Sequence, residues 1–215
     1  IKYSEDNDEF ILIANKSLDS VDKEFLSFIT SCGSKVQYFE WTYPGSTSCM
    51  SSNYIQKTAI AEQLRTYSFC LLNCDIILIT SFFEGFRDNC VIEFDTNFDL
   101  PPIASIFYDL IPLLKPEIYL DSNKEFKQFY LSRLGCLNDV SCLLSISTSS
   151  SNEAGKYLSI DNENIHNIYA GCDRNLFYPS QLIEDSNKNI FNLGKYILYS
   201  GAGDPRKNIH RLILA

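Results

Sequence analysis

Seven short apolar runs recur along the chain, at 10–14, 36–39, 76–80, 103–107, 142–146, 165–169 and 196–200, with polar stretches of helical spacing between them. Most of the runs are continuous rather than alternating. A half-exposed strand alternates apolar and polar side chains, so continuous runs mark strands covered on both faces of a parallel sheet. Ile60, Leu64, Tyr67 and Leu71 repeat at helical spacing behind a polar start at Ser52 and Asn53, which predicts one apolar stripe on a helix. Ser122 with Glu125 reads as a capping box ahead of Phe126, Phe129, Tyr130 and Leu134, and Ser150 with Glu153 as another ahead of Tyr157 and Leu158. Strands alternating with helices imply right-handed crossovers. The expected class is therefore α/β, with one doubly wound, mainly parallel, Rossmann-like sheet from the run at 10–14 to that at 165–169.

Composition narrows the partners. With 45% hydrophobic and 21% charged residues, 215 residues suffice for one full globular domain. A net charge of -9 with only 18 Lys and Arg leaves no basic stripe for a phosphate backbone, which excludes nucleic acid as the expected partner and limits membrane contact to the periphery. No run approaches the length of a membrane span, and no charged leader with an apolar core opens the chain. The eight cysteines form no Cys-x-x-Cys pair and sit partly inside apolar runs, so reduced thiols in a cytoplasmic protein are expected, with no metal site.

Open parallel sheets bind ligands at the carboxyl ends of their strands. That rule selects the loops at 81–89, 108–113, 147–152, 171–175 and 201–208. The last is the most distinctive: the run Tyr196-Ile197-Leu198-Tyr199-Ser200 meets Gly201-Ala202-Gly203-Asp204-Pro205-Arg206-Lys207-Asn208 and then the start of a helix marked by Ile209, Leu212 and Ile213. Two glycines permit a tight turn close to a ligand, and a guanidinium beside an ammonium at a helix start suits a phosphate. Asn208 can cap that helix, and Pro205 fits its first turn. The run lacks the third glycine of a dinucleotide fingerprint, and no Gly-Lys-Ser/Thr loop is present. Neither His166 nor His210 has an acid or nucleophile at triad spacing.

The 201–208 segment, followed by Arg211 and Leu212, resembles the opening of the donor-binding domain of retaining two-domain glycosyltransferases of family 4, which have the GT-B fold. Three further segments match in order: 75–85 with Glu84 and Gly85; Tyr108-Asp109-Leu110-Ile111-Pro112-Leu113; and 168–179 with Gly171, Asp173 and Phe177. The resemblance implies an acceptor-side domain over 1–192, its first strand trimmed, and the opening strand, loop and helix of the donor domain over 193–215. It implies donor-phosphate binding by Arg206, Lys207, Gly201 and Gly203, cleft or acceptor contacts at Glu84, Gly85, Gly171 and Asp173, and catalytic positions at Tyr108 and Asp109. The family has His where this chain has Tyr108, and a phenol hydrogen-bonds but does not titrate near neutral pH. From the residues alone, Glu84 can instead pair with Arg87 at the surface, Asp109 can cap a helix, and Gly171 can serve a positive φ. The implied function is hexosyl transfer from a nucleotide sugar to a glycan or lipid-linked acceptor, without metal or other cofactor, in the cytoplasm or at the inner face of the membrane. The alternative is a catalytically silent glycan-binding or scaffolding member of the same fold.

Overall fold

The computed structural model of the chain describes residues 5, 7–18, 22–43, 45–175, 177, 197–201 and 203–215. Along them run β1 (Phe10–Asn15), α1 (Lys23–Ser31), β2 (Val36–Trp41), α2 (Tyr54–Leu72), β3 (Ile77–Ile79), β4 (Ile103–Phe107), α3 (Ile111–Leu114), α4 (Pro116–Tyr119), α5 (Lys124–Cys136), β5 (Cys142–Ser145), α6 (Thr148–Tyr157), β6 (Ile165–Asn167) and α7 (Ile209–Leu214). The chain forms two compact units, Ile1–Ala170 and Gly171–Ala215. The expected domain boundary at 192/193 and Tyr196 lie outside the described residues.

The strands of the first unit are all parallel, as continuous apolar runs require, and the class is Rossmann-like α/β. The single sheet expected from 10 to 169 is instead two, β1-β2 and β3-β4-β5-β6. No ladder joins β1 to β3 among the described residues; side chains make the junction. Ile13 packs against both hydrophobic clusters, and Asn89, in the loop after β3, gathers the ends of β1 and β2. Its carbonyl accepts from Asn15 Nδ2 (3.3 Å), Tyr43 Oη (3.0 Å) and Thr47 Oγ1 (3.0 Å). Its Oδ1 accepts from Ser46 Oγ (2.7 Å) and the amides of Thr47 (3.1 Å) and Ser48 (3.2 Å).

The main core lies on the four-stranded sheet, where Phe107, Leu143, Leu110 and Leu137 are almost fully buried. β4 is buried on both faces, which explains its continuous run. The helices keep some of their expected punctuation and shift the rest. Asn123, one residue after Ser122, caps α5 by accepting from the Phe126 amide (2.9 Å). Ser147 caps α6 through the Ser150 amide (3.1 Å), so the box at Ser150 and Glu153 falls inside the helix.

α2 departs furthest from the sequence reading. Its stripe of Ile60, Leu64, Tyr67 and Leu71 faces solvent, while Ala61, Thr66, Ser68 and Phe69 are buried. The inward face carries polar groups that hold the irregular segment after the β3 loop. Thr66 Oγ1 accepts from the Asp95 amide (2.9 Å), and Arg65 Nη1 donates to the carbonyls of Ile92 (2.6 Å) and Glu93 (3.1 Å). Backbone groups with no sheet partner need hydrogen bonds, and α2 turns the side that supplies them.

In the second unit, 197–200 forms no strand, since a strand is defined by its ladder and these residues have no paired neighbour among the described residues; Ile197 is 85% exposed. No helix among the described residues is long and apolar enough to cross a membrane.

Removing the Asn89 side chain strands the amides of Thr47 and Ser48. Asn89→Ala is expected to destabilise the fold by about 1–3 kcal/mol in urea denaturation, and Asn89→Asp, which keeps the acceptor, by less. Equal midpoints for the alanine variant and the parent would show that the junction does not rest on Asn89.

Candidate functional site

The carboxyl ends of the strands in the first unit carry two joined groups of loops. The first holds Glu84 and Gly85. Glu84 does not pair with Arg87: its Oε1 accepts from Ser81 Oγ (2.7 Å), and its carbonyl accepts from Arg133 Nη2 (3.3 Å). Gly85 has φ +101°, and a Cβ there would lie 2.6 Å from the Cys90 carbonyl oxygen and 3.0 Å from Arg133 Nη2, so only glycine fits. Its carbonyl accepts from the Cys49 amide (3.1 Å), which closes the loop after β3 onto the one after β2. Asp88 accepts from the amides of Gly85 (3.3 Å) and Cys90 (2.8 Å). Burial works to raise its pKa, and hydrogen bonds, chiefly from Cys90, win and hold it below the ordinary value.

The second group surrounds Tyr108 and Asp109 after β4. Ser150 Oγ donates to the Tyr108 carbonyl, and Glu153 Oε2 accepts from the Leu110 amide (3.1 Å), so the expected capping pair of α6 pins this loop instead. Asp109 Oδ1 accepts from the Ile111 amide (2.9 Å) and caps the turn into α3. Tyr108 is 52% exposed, and its hydroxyl has no hydrogen-bond partner among the described residues. Tyr130 links the two groups: its ring stacks on Phe83 with centroids 4.9 Å apart, while Asp109 and Glu153 stand near its hydroxyl. Burial, with those carboxylates adding to it, raises the Tyr130 phenol and keeps it neutral.

A cluster of charged side chains lies behind Gly85. Arg133, whose side chain is 4% exposed, places Nη1 2.5 Å from Glu93 Oε1 and stacks on Phe129. Glu93 also accepts from Cys136 Sγ (3.5 Å) and is hydrogen-bonded to Glu62. Burial, with the Glu93 hydrogen bond and charge adding to it, pushes Glu62 up to about 8 against the pull of Arg133 and Arg65. For Glu93, burial acts upward, but Glu62 and Arg133 bring it below the ordinary value. Of the two, Glu62 is therefore the carboxyl that keeps its proton to higher pH. Burial, aided by Arg133, lowers Arg65 to about 10, which leaves it charged. Asn89, Arg133, Glu62 and Glu93 were not singled out in the sequence, where polar residues amid an irregular stretch or a helix carry no mark of burial.

The remaining candidates belong to the second unit. Gly171 does not adopt a positive φ, and a Cβ there would meet nothing; Tyr169 is the residue with φ +58°. Asp173 accepts from the Asn175 amide (2.8 Å) in a local turn. Gly201 has φ +153°, and a Cβ there would lie 2.7 Å from Tyr199 Oη, whereas Gly203 has open space. Arg206 donates to Asp204 from Nε (3.0 Å) and Nη2 (3.0 Å), a two-point grip. Lys207 is exposed in the short 3₁₀ turn Pro205–Lys207, which precedes α7. Asn208 adopts φ +51° and caps with its backbone carbonyl, not its side chain. Among the described residues no group of three or more His, Cys, Asp or Glu could hold a metal ion.

No known family profile matches the chain. It is similar to serotype-specific mannosyltransferases WbdA of Escherichia coli: 28% identical to one over 163 residues, 74% of this chain and 20% of the relative. Another is 29% identical over 172 residues, 78% of this chain and 21% of the relative. The chain thus spans about a fifth of the length of these relatives.

The Glu62 proton predicts a pH dependence. Glu62 titrates near its ordinary value of 4.5 when unfolded and at about 8 when folded, so the folded state binds more protons between these values. Stability contributed by protonated Glu62 is complete below the lower value, declines as pH rises through the interval and levels off above the upper. Urea midpoints measured from pH 5 to 8.5 should fall in the parent and fall less in Glu62→Gln. Parallel slopes would mean that Glu62 is charged in the fold.

Proposed function

We propose that the chain is the acceptor-side part, with the opening of the donor-binding part, of a retaining GT-B glycosyltransferase of family 4. The enzyme moves a hexose from a nucleotide sugar to a glycan or lipid-linked glycan. The likeness to mannosyltransferases over roughly three quarters of this chain carries the reading. It favours mannose as the sugar. The linked polar loops at the carboxyl ends of the strands lend support, since open parallel sheets bind ligands there. The assigned place of action is the cytoplasm, with at most peripheral contact at the inner face of the membrane.

As the bond from sugar to phosphate breaks, negative charge builds on the diphosphate, and cations that meet it more strongly in the transition state speed the step. Arg206 and Lys207 are assigned this work, with Gly201 and Gly203 letting the backbone approach. Asp204 holds Arg206 in place, so a diphosphate would replace that carboxylate. Glu84, Gly85, Gly171 and Asp173 are assigned to the cleft or acceptor. Tyr108 is assigned to the sugar, as a hydrogen-bonding group rather than an acid or base, with Asp109 fixing its loop. The reading requires no metal and no further cofactor.

In the whole protein, Arg206→Ala and Lys207→Ala should each remove about 1.5–3 kcal/mol, or about ten- to a hundred-fold in kcat/KM for the donor. Unchanged kinetics in both variants would remove the phosphate clamp from the account.

The exposed Tyr108, standing where the resembled family has His, favours a second reading, a glycan-binding member without turnover. An inactive parent that gains transfer on Tyr108→His supports that reading; an active parent rules it out.

A further inference from the structure

The end of β1 and the loop after β3 meet at Asn89, so the two strands run the same way. The edge that each turns toward the other has no ladder partner among the described residues. The Lys16 amide donates to the Trp41 carbonyl (2.9 Å) on the β2 side, and the Ile77 amide to the Pro102 carbonyl (2.9 Å) on the β4 side. Alternation along a parallel ladder then turns the amides of Ile11, Ile13 and Leu78 into the junction, where no strand receives them. Buried backbone donors need acceptors, so open edges of this kind call for a partner.

The side chains point the same way. Strands at a true sheet edge carry charged or polar residues that discourage further pairing. The outer strands fit, with exposed Glu40 on β2 and exposed His166 on β6. The inner edges do not: β1 opens Phe-Ile-Leu-Ile-Ala and β3 is Ile-Leu-Ile, the composition of strands covered on both faces. Yet β1 is only half-buried along its whole length, and Leu78 is 53% exposed. Ile77 and Ile79 lie in the core with residues of α2, α5 and α6, which puts Leu78 on the opposite face, beside the half-buried Ile106 and Leu144.

Handedness says what covers that face. The steps from β2 to β3, β4 to β5 and β5 to β6 run in one direction across the unit, and right-handed crossovers put α2, α5 and α6 on one side. A strand in the junction that leads on to β1 steps the other way, as β1 does to β2. Its crossover helix therefore falls on the side left open around Leu78.

We propose that a strand–helix unit of the same polypeptide, preceding Ile1, fills this junction. Its strand pairs in parallel with β1 and β3, and its helix covers Leu78, Ile106 and Leu144. A whole second copy does not enter a slot bounded on both sides, whereas one such unit meets both open edges and the open face. The match takes up 20% of one relative and 21% of another, which leaves about four fifths of each outside it, ample length for such a unit. The order becomes β2-β1-inserted strand-β3-β4-β5-β6 and reverses at the inserted strand. Open parallel sheets hold ligands at the carboxyl end of such a reversal, so the turn after the inserted strand lines the crevice beside the loop that bears Glu84 and Gly85.

Hydrogen exchange in the whole protein tests the strand. The amides of Ile11, Ile13 and Leu78 should exchange within about ten-fold of the rates at Leu12 and Ala14, which face β2. Exchange at the three positions about a hundred-fold faster than that overturns the inserted strand. A second measurement, which needs no truncation, identifies the occupant: the whole protein is made with p-benzoylphenylalanine in place of Leu78, irradiated, and the adduct mapped by mass spectrometry. The expected adduct is within one molecule, on residues preceding Ile1. An adduct on 176–196 or elsewhere after residue 1, a link between two copies, or no adduct at all overturns the assignment, even where the three amides are protected.

Discussion

Asn89 holds the carboxyl ends of β1, β2 and β3 together where no backbone ladder does. Its carbonyl and side-chain oxygens accept from residues in three separate stretches, Asn15, Tyr43 and 46–48. A sheet normally fixes the relative position of its loops through continuous pairing. Between β1 and β3 that task passes to one asparagine and to Ile13, which is packed on both clusters. The loop bearing Glu84 and Gly85 owes its place to this junction.

Arg133 completes the arrangement from the other side. It binds the carbonyl of Glu84, pairs with Glu93, stacks on Phe129 and stands against Gly85, so α5, the β3 loop and the segment beyond it meet at one guanidinium. A buried ion pair gains little net stability over an apolar pair, since desolvation offsets attraction. Its value here is positional: a planar group with donors in several directions fixes several loops at once.

The run at 103–107 coincides with β4 because both its faces are covered, and the runs at 10–14 and 142–146 fall close to β1 and β5. The stripe on α2 was legible as a helix but not as its buried face. Periodicity says which residues share a side, whereas the covered side is set by which tertiary neighbours need hydrogen bonds, here the chain at 92–95. Likewise, Ser150 and Glu153 have the spacing of a helix cap, yet both reach across to the loop after β4, a partner 42 to 43 residues away that no local pattern reveals. Of the candidate site, Gly85 was legible as a glycine that matters. Asn89 and Arg133 were not, since nothing in sequence marks a polar side chain that many loops share.

The central claim is sugar transfer with retention, and the most direct measurement is NMR of the product made by the whole protein from a nucleotide hexose and a neutral glycan acceptor. The account predicts a new glycosidic bond with the same anomeric configuration as the donor, released together with the nucleoside diphosphate. A product of inverted configuration would contradict the retaining mechanism, and the absence of any transfer across UDP- and GDP-hexose donors would contradict the enzyme itself.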